Sequence, residues 1–338
     1  MGDDTAAYSD VVIVEPSGLS ADRVGAAVRS EWALDVTSAV HVEAGADAWH
    51  WRIDCDDDGP WFATVDAVRS SEERQGLLAA YEAASQLAPR LDFVAAPVRT
   101  RDARMAVDIA PGQLLSLTPF LDGTSGSGPL VDDEARAAVA RLLGELHRQP
   151  RPRHLPVWRP QIGWHSHARR ADLERLLALG EWSGGPWSAP VGRLLAEARP
   201  VVERAVRRFA LLGAAVAGSV DRWVVTHGEP HTANLMSTPD GLRLVDWATI
   251  CLAPRERDLR EVLGEADGNE PWFAYVGAGG RPEPLSPDTN ELFALQWHLS
   301  EVVEHAVRFS RVHTDSADDR RCFDDLEVAL AAVVDHWS

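Results

Sequence analysis

The passage His227-Gly228-Glu229-Pro230-His231-Thr232-Ala233-Asn234 decides how this chain is read. It follows the apolar run Trp223-Val224-Val225 and leads into Leu235-Met236, a turn over Ser237 to Gly241, and then Leu242-Arg243-Leu244-Val245-Asp246-Trp247. Its glycine, proline and small polar residues mark an irregular loop, and the two short apolar runs around the following turn mark a hairpin. Loop and hairpin together carry Glu229, Asn234 and Asp246. Taken singly, each has an ordinary reading, since a lone carboxylate near a helix start is a cap or a solvated charge. His231 has no second histidine or cysteine at ligand spacing, so it reads as structural.

Outward from this passage the chain divides by character. Before it, short strand-like runs dominate the first 120 or so residues. They include Asp10 to Val14, Phe93 to Val98, Leu114 to Phe120 (stopped by Pro119), and a hairpin of His50 to Cys55 and Trp61 to Asp66 around Asp56-Asp57-Asp58-Gly59-Pro60. Ser71 to Leu87 has helical periodicity, with Leu77, Leu78, Tyr81 and Leu87 on one side. Beyond the Gly/Ser-rich stretch Asp122 to Gly128, helical periods prevail over 132–148, 186–213, 290–311 and 318–337. Strands first and helices second predict an α+β protein of two lobes, residues 1–121 and 122–338.

Composition narrows the function. A net charge of -19 excludes nucleic acid as a partner and favours a cationic one. No apolar run is long enough to span a membrane, and the acidic start lacks the pattern of a secretion signal, so a cytosolic protein is expected. Cys55, Cys251 and Cys322, far apart and odd in number, form neither a disulfide framework nor a zinc pattern. Two histidines at His165 and His167 lack a third ligand and read as surface residues. The sequence contains no lysine; all 33 fixed positive side chains are arginine.

The pattern H-G-E-x-H-x-x-N, a short hairpin and then Asp246-Trp247 resembles the catalytic and metal loops of the aminoglycoside phosphotransferase family. Leu252 to Leu259, Asp92 to Asp102, Trp182 to Pro186 and Trp297-His298-Leu299 resemble its spectinomycin phosphotransferase branch. The resemblance implies a bilobal protein-kinase-like fold, with a small β-rich N-lobe that binds nucleotide and a larger helical C-lobe. It implies ATP or GTP as donor, Mg²⁺ as cofactor, and a hydroxyl of a small polar or cationic compound as acceptor, an aminocyclitol or aminoglycoside first. By the same resemblance Glu229 is the base for the acceptor hydroxyl, Asn234 and Asp246 hold Mg²⁺, and His227 braces the loop from within. The spacing suits phosphoryl transfer, which needs one group to orient the attacking hydroxyl and metal to bridge phosphates. Asp258 is implied to accept backbone N–H groups of the catalytic loop. Thr118, Phe120 and Leu121 fall among the nucleotide contacts. Glu301 and Glu304 share a helix face that could hold an ammonium group, a solvated face being the plain alternative. Arg255 and Arg257 could touch phosphate, though ion pairs in solvent are the simpler reading.

Three departures from the family pattern stand out. Thr64 occupies the place of the nucleotide lysine, Glu229 replaces the commoner aspartate, and Glu43 to Trp49 keeps a single glycine where a phosphate-covering loop has several. Charge stabilisation dominates phosphoryl transfer, so another cation is needed. If Cys55 and Trp61 face each other in the hairpin, Arg52 falls across from Thr64 and can supply it. The alternatives are a nucleotide-binding pseudokinase without turnover, or a kinase of the same fold for a metabolite or peptide hydroxyl.

Overall fold

The computed structural model describes residues 18–44, 48–56, 59–126, 128, 130, 132–163, 170–264 and 268–337. The expected strand at Asp10 to Val14, Gly45 of the glycine-poor loop, and His165 and His167 lie outside the described residues. In chain order the elements are α1 (Ala21–Trp32), β1 (Val36–Val42), β2 (Ala48–Cys55), β3 (Trp61–Ala67), α2 (Ser71–Leu87), β4 (Val107–Ala110), β5 (Gln113–Pro119), β6 (Thr124–Ser125) and α3 (Asp133–His147). There follow α4 (Arg170–Leu177), α5 (Ser188–Val216), β7 (Val224–Thr226), β8 (Leu235–Thr238), β9 (Gly241–Leu244), β10 (Cys251–Ala253), α6 (Glu256–Leu263), α7 (Glu270–Gly277), α8 (Pro287–Phe309) and α9 (Ala317–Trp337). Among the described residues no helix is long and apolar enough to cross a membrane.

These elements form two compact units, one of residues 1–157 and 224–282, the other of 158–223 and 283–338. The loop-and-hairpin passage belongs with the sheet-bearing unit.

In the first unit an antiparallel sheet runs in the order β1-β2-β3-β5-β4. Side chains alternate across it, as strand geometry requires. Trp51, Ile53, Ala63, Val65, Leu115 and Leu117 point to one face and pack with Val24, Val28 and Trp32 of α1. The even-numbered positions take the opposite face, where Leu114 meets Leu77 and Tyr81 of α2 and Met105. α2 begins where Ser70 accepts the Glu73 N–H at 3.1 Å, an N-cap the Ser-Ser-Glu-Glu sequence provides. α1, β1 and β4 escaped the sequence reading. Phe93 to Val98 forms only a single bridge, Val94 to Leu244, and not a strand. With just Val94 bridged there, the run is an extended connector.

The hairpin register corrects one expectation. Ile53, not Cys55, faces Trp61, so His50 lies across from Thr64 and Arg52 across from Phe62. The turn is longer than alternation alone suggested, and a shift of two keeps each side chain on its face while changing its neighbour.

The second unit is helical. α5 packs along both α8 and α9, and α8 starts from Ser286, which accepts the Thr289 N–H, with Pro287 at the first helical position.

Candidate active site

β7 pairs with β10, and β8 with β9, so the loop 227–234 and the turn 245–250 leave neighbouring strand ends. Val245 joins them. Its N–H donates to the Asn234 carbonyl at 3.0 Å, and its own carbonyl accepts His227 Nε2–H at 2.9 Å. The other ring nitrogen of His227, Nδ1, accepts the Glu229 N–H at 3.2 Å. Burial outweighs the favourable charges of Asp258 and Asp246 and lowers the His227 pKa to about 4. The ring is therefore neutral at physiological pH, with its one proton on Nε2, which is the tautomer both bonds require. Trp247 closes over it edge-on, ring centroids 4.7 Å apart, and Thr249 donates to the His227 carbonyl at 2.8 Å.

This network sets the remaining groups. Asn234 is buried, and its Nδ2 donates to the Glu229 carbonyl at 3.0 Å. That leaves Oδ1 as the amide atom able to face a cation. Asp246 is exposed and sits at φ +59°, the left-handed region that non-glycine residues seldom adopt. Such strain concentrates at functional sites. Among the described residues no three His, Cys, Asp or Glu side chains gather to hold a metal. A cation here would thus rest on Asn234 Oδ1 and Asp246, with water and phosphate oxygens completing the shell. Such sparse, all-oxygen protein ligation fits magnesium.

Asp258, at the start of α6, fixes the loop from below. Its Oδ2 accepts the His227 N–H at 2.8 Å and its Oδ1 the Gly228 N–H at 2.6 Å. Gly228 has φ +109°, a backbone conformation that strains any residue with a side chain, and a Cβ there would displace the Arg257 guanidinium. Arg257 donates to Thr226 Oγ1 at 3.1 Å. Arg255 is buried, bonds the Arg281 carbonyl and lies 5.7 Å over the Trp272 ring. Arg255 is thus buried, and Arg257 half-buried, where the sequence suggested arginines in solvent. The partners named, the Arg281 carbonyl and Trp272 ring for Arg255 and the Thr226 hydroxyl for Arg257, are not encoded in residue spacing.

On the sheet, two rows of side chains share the even-numbered face. One is His50, Thr64 and Ser116; the other is Arg52, Phe62 and Thr118. Arg52 is exposed, donates to Asp54 at 2.9 Å and places its guanidinium 4.7 Å from the Phe120 ring centroid. The Phe120 N–H donates to the Pro60 carbonyl at 3.2 Å, and Leu121 beyond it is half-buried. Arg52, Thr118 and Phe120 are therefore neighbours, whereas Thr64 belongs to the row with His50. Tyr81 of α2 donates to Asp66 Oδ2 at 2.6 Å, and burial followed by the Asp66 charge pushes its pKa well up. His50, Asp66 and Tyr81 were not singled out from sequence. Their one signal was parity, since position 50 shares its strand face with position 52.

Glu301 and Glu304 lie on α8 of the second unit. Glu301 Oε2 meets His305 Nε2 at 3.2 Å, both side chains largely enclosed. Burial lowers the His305 pKa, but its hydrogen bonds with Cys322 and with the accepting Glu301 carboxylate outweigh it and bring it up to about 10. Glu301 is thus neutralised by an imidazolium one helical turn away.

The architecture is a kinase-like α+β fold. A family model described as the phosphotransferase enzyme family matches residues 39–289, and the chain belongs to that family. A curated relative, Protein StrN of Streptomyces griseus, is 27% identical over 240 residues, 69% of this chain and 70% of StrN. Among solved structures, a spectinomycin phosphotransferase in complex with ADP and spectinomycin superposes with TM-score 0.67 at 12% identity, covering 94% of this chain and 98% of its own. Choline kinase LicA from Streptococcus pneumoniae gives 0.55 at 13% identity, covering 93% and 99%. These structures share the fold.

Proposed function

We propose that the protein is an ATP- or GTP-dependent O-phosphotransferase acting on a hydroxyl of a small polar or cationic compound, an aminocyclitol or aminoglycoside first. The observation that carries this reading is the Val245 junction, which ties the loop of Glu229 and Asn234 to the turn of Asp246 through two backbone-directed bonds. A base and two cation ligands fixed to one another supply what phosphoryl transfer asks of a protein. Solved relatives named with ADP, AMP and spectinomycin agree with nucleotide donor and small-molecule acceptor.

In this reading Glu229 orients the acceptor hydroxyl and takes its proton as the oxygen attacks. His227, neutral and doubly bonded, keeps the Glu229 backbone and Val245 at fixed separation. Asn234 and Asp246 hold Mg²⁺, which when bound neutralises charge on the phosphates. Thr64, Arg52, Thr118, Phe120 and Leu121 line the nucleotide side within residues 1–121, and acceptor recognition falls to 122–338, Glu301 and Glu304 included. The net charge of -19 draws cationic acceptors towards the protein. A cytosolic setting, where nucleoside triphosphates are plentiful, goes with this activity.

A thermal-shift series with Mg·ATP, Mg·GTP and metal-free nucleotide tests the first half, since ligands that bind the folded state raise Tm. Mass-spectrometric screening for a phosphoryl adduct on aminocyclitols and polar metabolites tests the second. Metal-dependent stabilisation without any adduct would favour the pseudokinase reading. No stabilisation by any nucleotide would end both.

A further inference from the structure

Resting on that reading, we propose that His50 is a ligand for the nucleotide phosphates, its Nε2–H donating to a phosphate oxygen while Thr64 holds Nδ1.

The register carries the argument. His50 lies directly across from Thr64, and His50 Nδ1 is 3.1 Å from Thr64 Oγ1. A hydroxyl can turn to donate. With Thr64 donating to Nδ1, the single proton of the neutral ring lies on Nε2. The ring plane is fixed as well, because it stacks on Phe62 with centroids 4.9 Å apart and an interplanar angle of 23°. Nε2 therefore has a set direction, and among the described residues no partner takes it up.

Position supports the same assignment. Three polar rings stand at this sheet face and on the neighbouring loop: His50, Tyr81 and His227. Tyr81 is spent on Asp66, and both nitrogens of His227 are spent on Val245 and Glu229. His50 is the one of the three with a donor still to give. Arg52 sits one row further along the sheet, bonded to Asp54 and laid over Phe120. In a chain without lysine, the donor beside the Thr64 row is an imidazole rather than a guanidinium.

The test is calorimetric binding of Mg·ADP and of adenosine to the parent and to His50→Ala, with circular dichroism and melting as folding controls. The expected result is about tenfold weaker Mg·ADP binding, the worth of one hydrogen bond to a charged group, with adenosine binding unchanged. Equal losses for both ligands would assign His50 a structural role and overturn the proposal, as would unaltered Mg·ADP affinity. Should the variant fail to fold, ¹⁵N-imidazole spectra of the parent decide: the Nε2 resonance of His50 must move on adding Mg·ADP and stay put with adenosine, and a silent Nε2 overturns the assignment. A parent that binds neither ligand sinks the phosphotransferase reading itself, and this proposal with it. Parent binding with an indifferent His50 leaves that reading standing.

Discussion

The carboxylate of Asp258 accepts a hydrogen bond from His147 Nε2 at 3.0 Å, both side chains being buried. Tyr275 OH, 3.0 Å from Nδ1, orders the ring from its far side. Asp258 also carries the backbone of His227 and Gly228, so α3, α6 and the loop bearing Glu229 meet at one side chain.

Removing His147 should therefore loosen the loop without touching it. Burial alone would raise the Asp258 carboxyl, but the His147 hydrogen bond and charge, with Arg257 and His227, hold it below the usual range. Its contribution is present above the unfolded value near 3.8 and is lost as pH falls through the lower folded value. His147→Ala should cost about 1–3 kcal/mol at neutral pH, and Asp258→Ala about 3–5 kcal/mol, since partners are left buried. Urea denaturation at pH 7 measures both. Values under about 0.5 kcal/mol for His147→Ala, the range of ordinary surface changes, would show that the junction bears no stress.

Asp246 permits a sharper separation of backbone and charge. At φ +59° asparagine is tolerated, whereas alanine costs about 1–2 kcal/mol. Asp246→Asn should melt like the parent and lose the magnesium-dependent part of nucleotide stabilisation. Asp246→Ala should lose the same part and also melt lower. Metal-dependent stabilisation that persists in the asparagine variant would remove Asp246 from the cation site.

The loop and its hairpin were legible before the structure because they are local. Glu229, Asn234 and Asp246 sit at short spacings around a hairpin, and turn residues announce that hairpin in one dimension. The long helices were legible for a similar reason: their apolar period repeats several times within 133–147 or 287–309. What failed depended on distance in the chain or on a count. α1 covers the sheet through Val24, Val28 and Trp32, a face too brief to stand out. His147 reaches Asp258 from a helix far away in sequence, and Tyr275 holds its ring from behind. The hairpin register turned on how many residues the turn consumes, and alternation fixes the face of Arg52 but not which residue it faces.

Glu229→Gln tests the base. The amide keeps the size and position of the side chain but cannot take the acceptor proton. With an acceptor in hand, kcat should fall by about 10²–10⁴ while KM stays within a few-fold. Parent-like turnover would exclude Glu229 from proton transfer, and a rise confined to KM would make it an acceptor-binding group instead.

The last prediction concerns whether Glu301 can serve a cationic acceptor at all. It already faces His305 at 3.2 Å, and His305 is raised to about 10 chiefly against burial, by its bonds to Cys322 and Glu301. A group raised in the folded state stabilises fully below its unfolded value, near 6.5, and loses that contribution as pH climbs through the folded one. His305→Gln should thus cost on the order of a few kcal/mol at pH 6, and the penalty should shrink steadily towards pH 10. Glu301→Gln should bring the His305 resonance in an NMR titration down towards ordinary imidazole values. It should leave acceptor KM unchanged if the pair is purely structural, and raise it if an ammonium group competes with His305 for the carboxylate. A His305 that titrates near 6.5 in the parent would dissolve the pair and return Glu301 to the solvent-facing role its helix position first suggested.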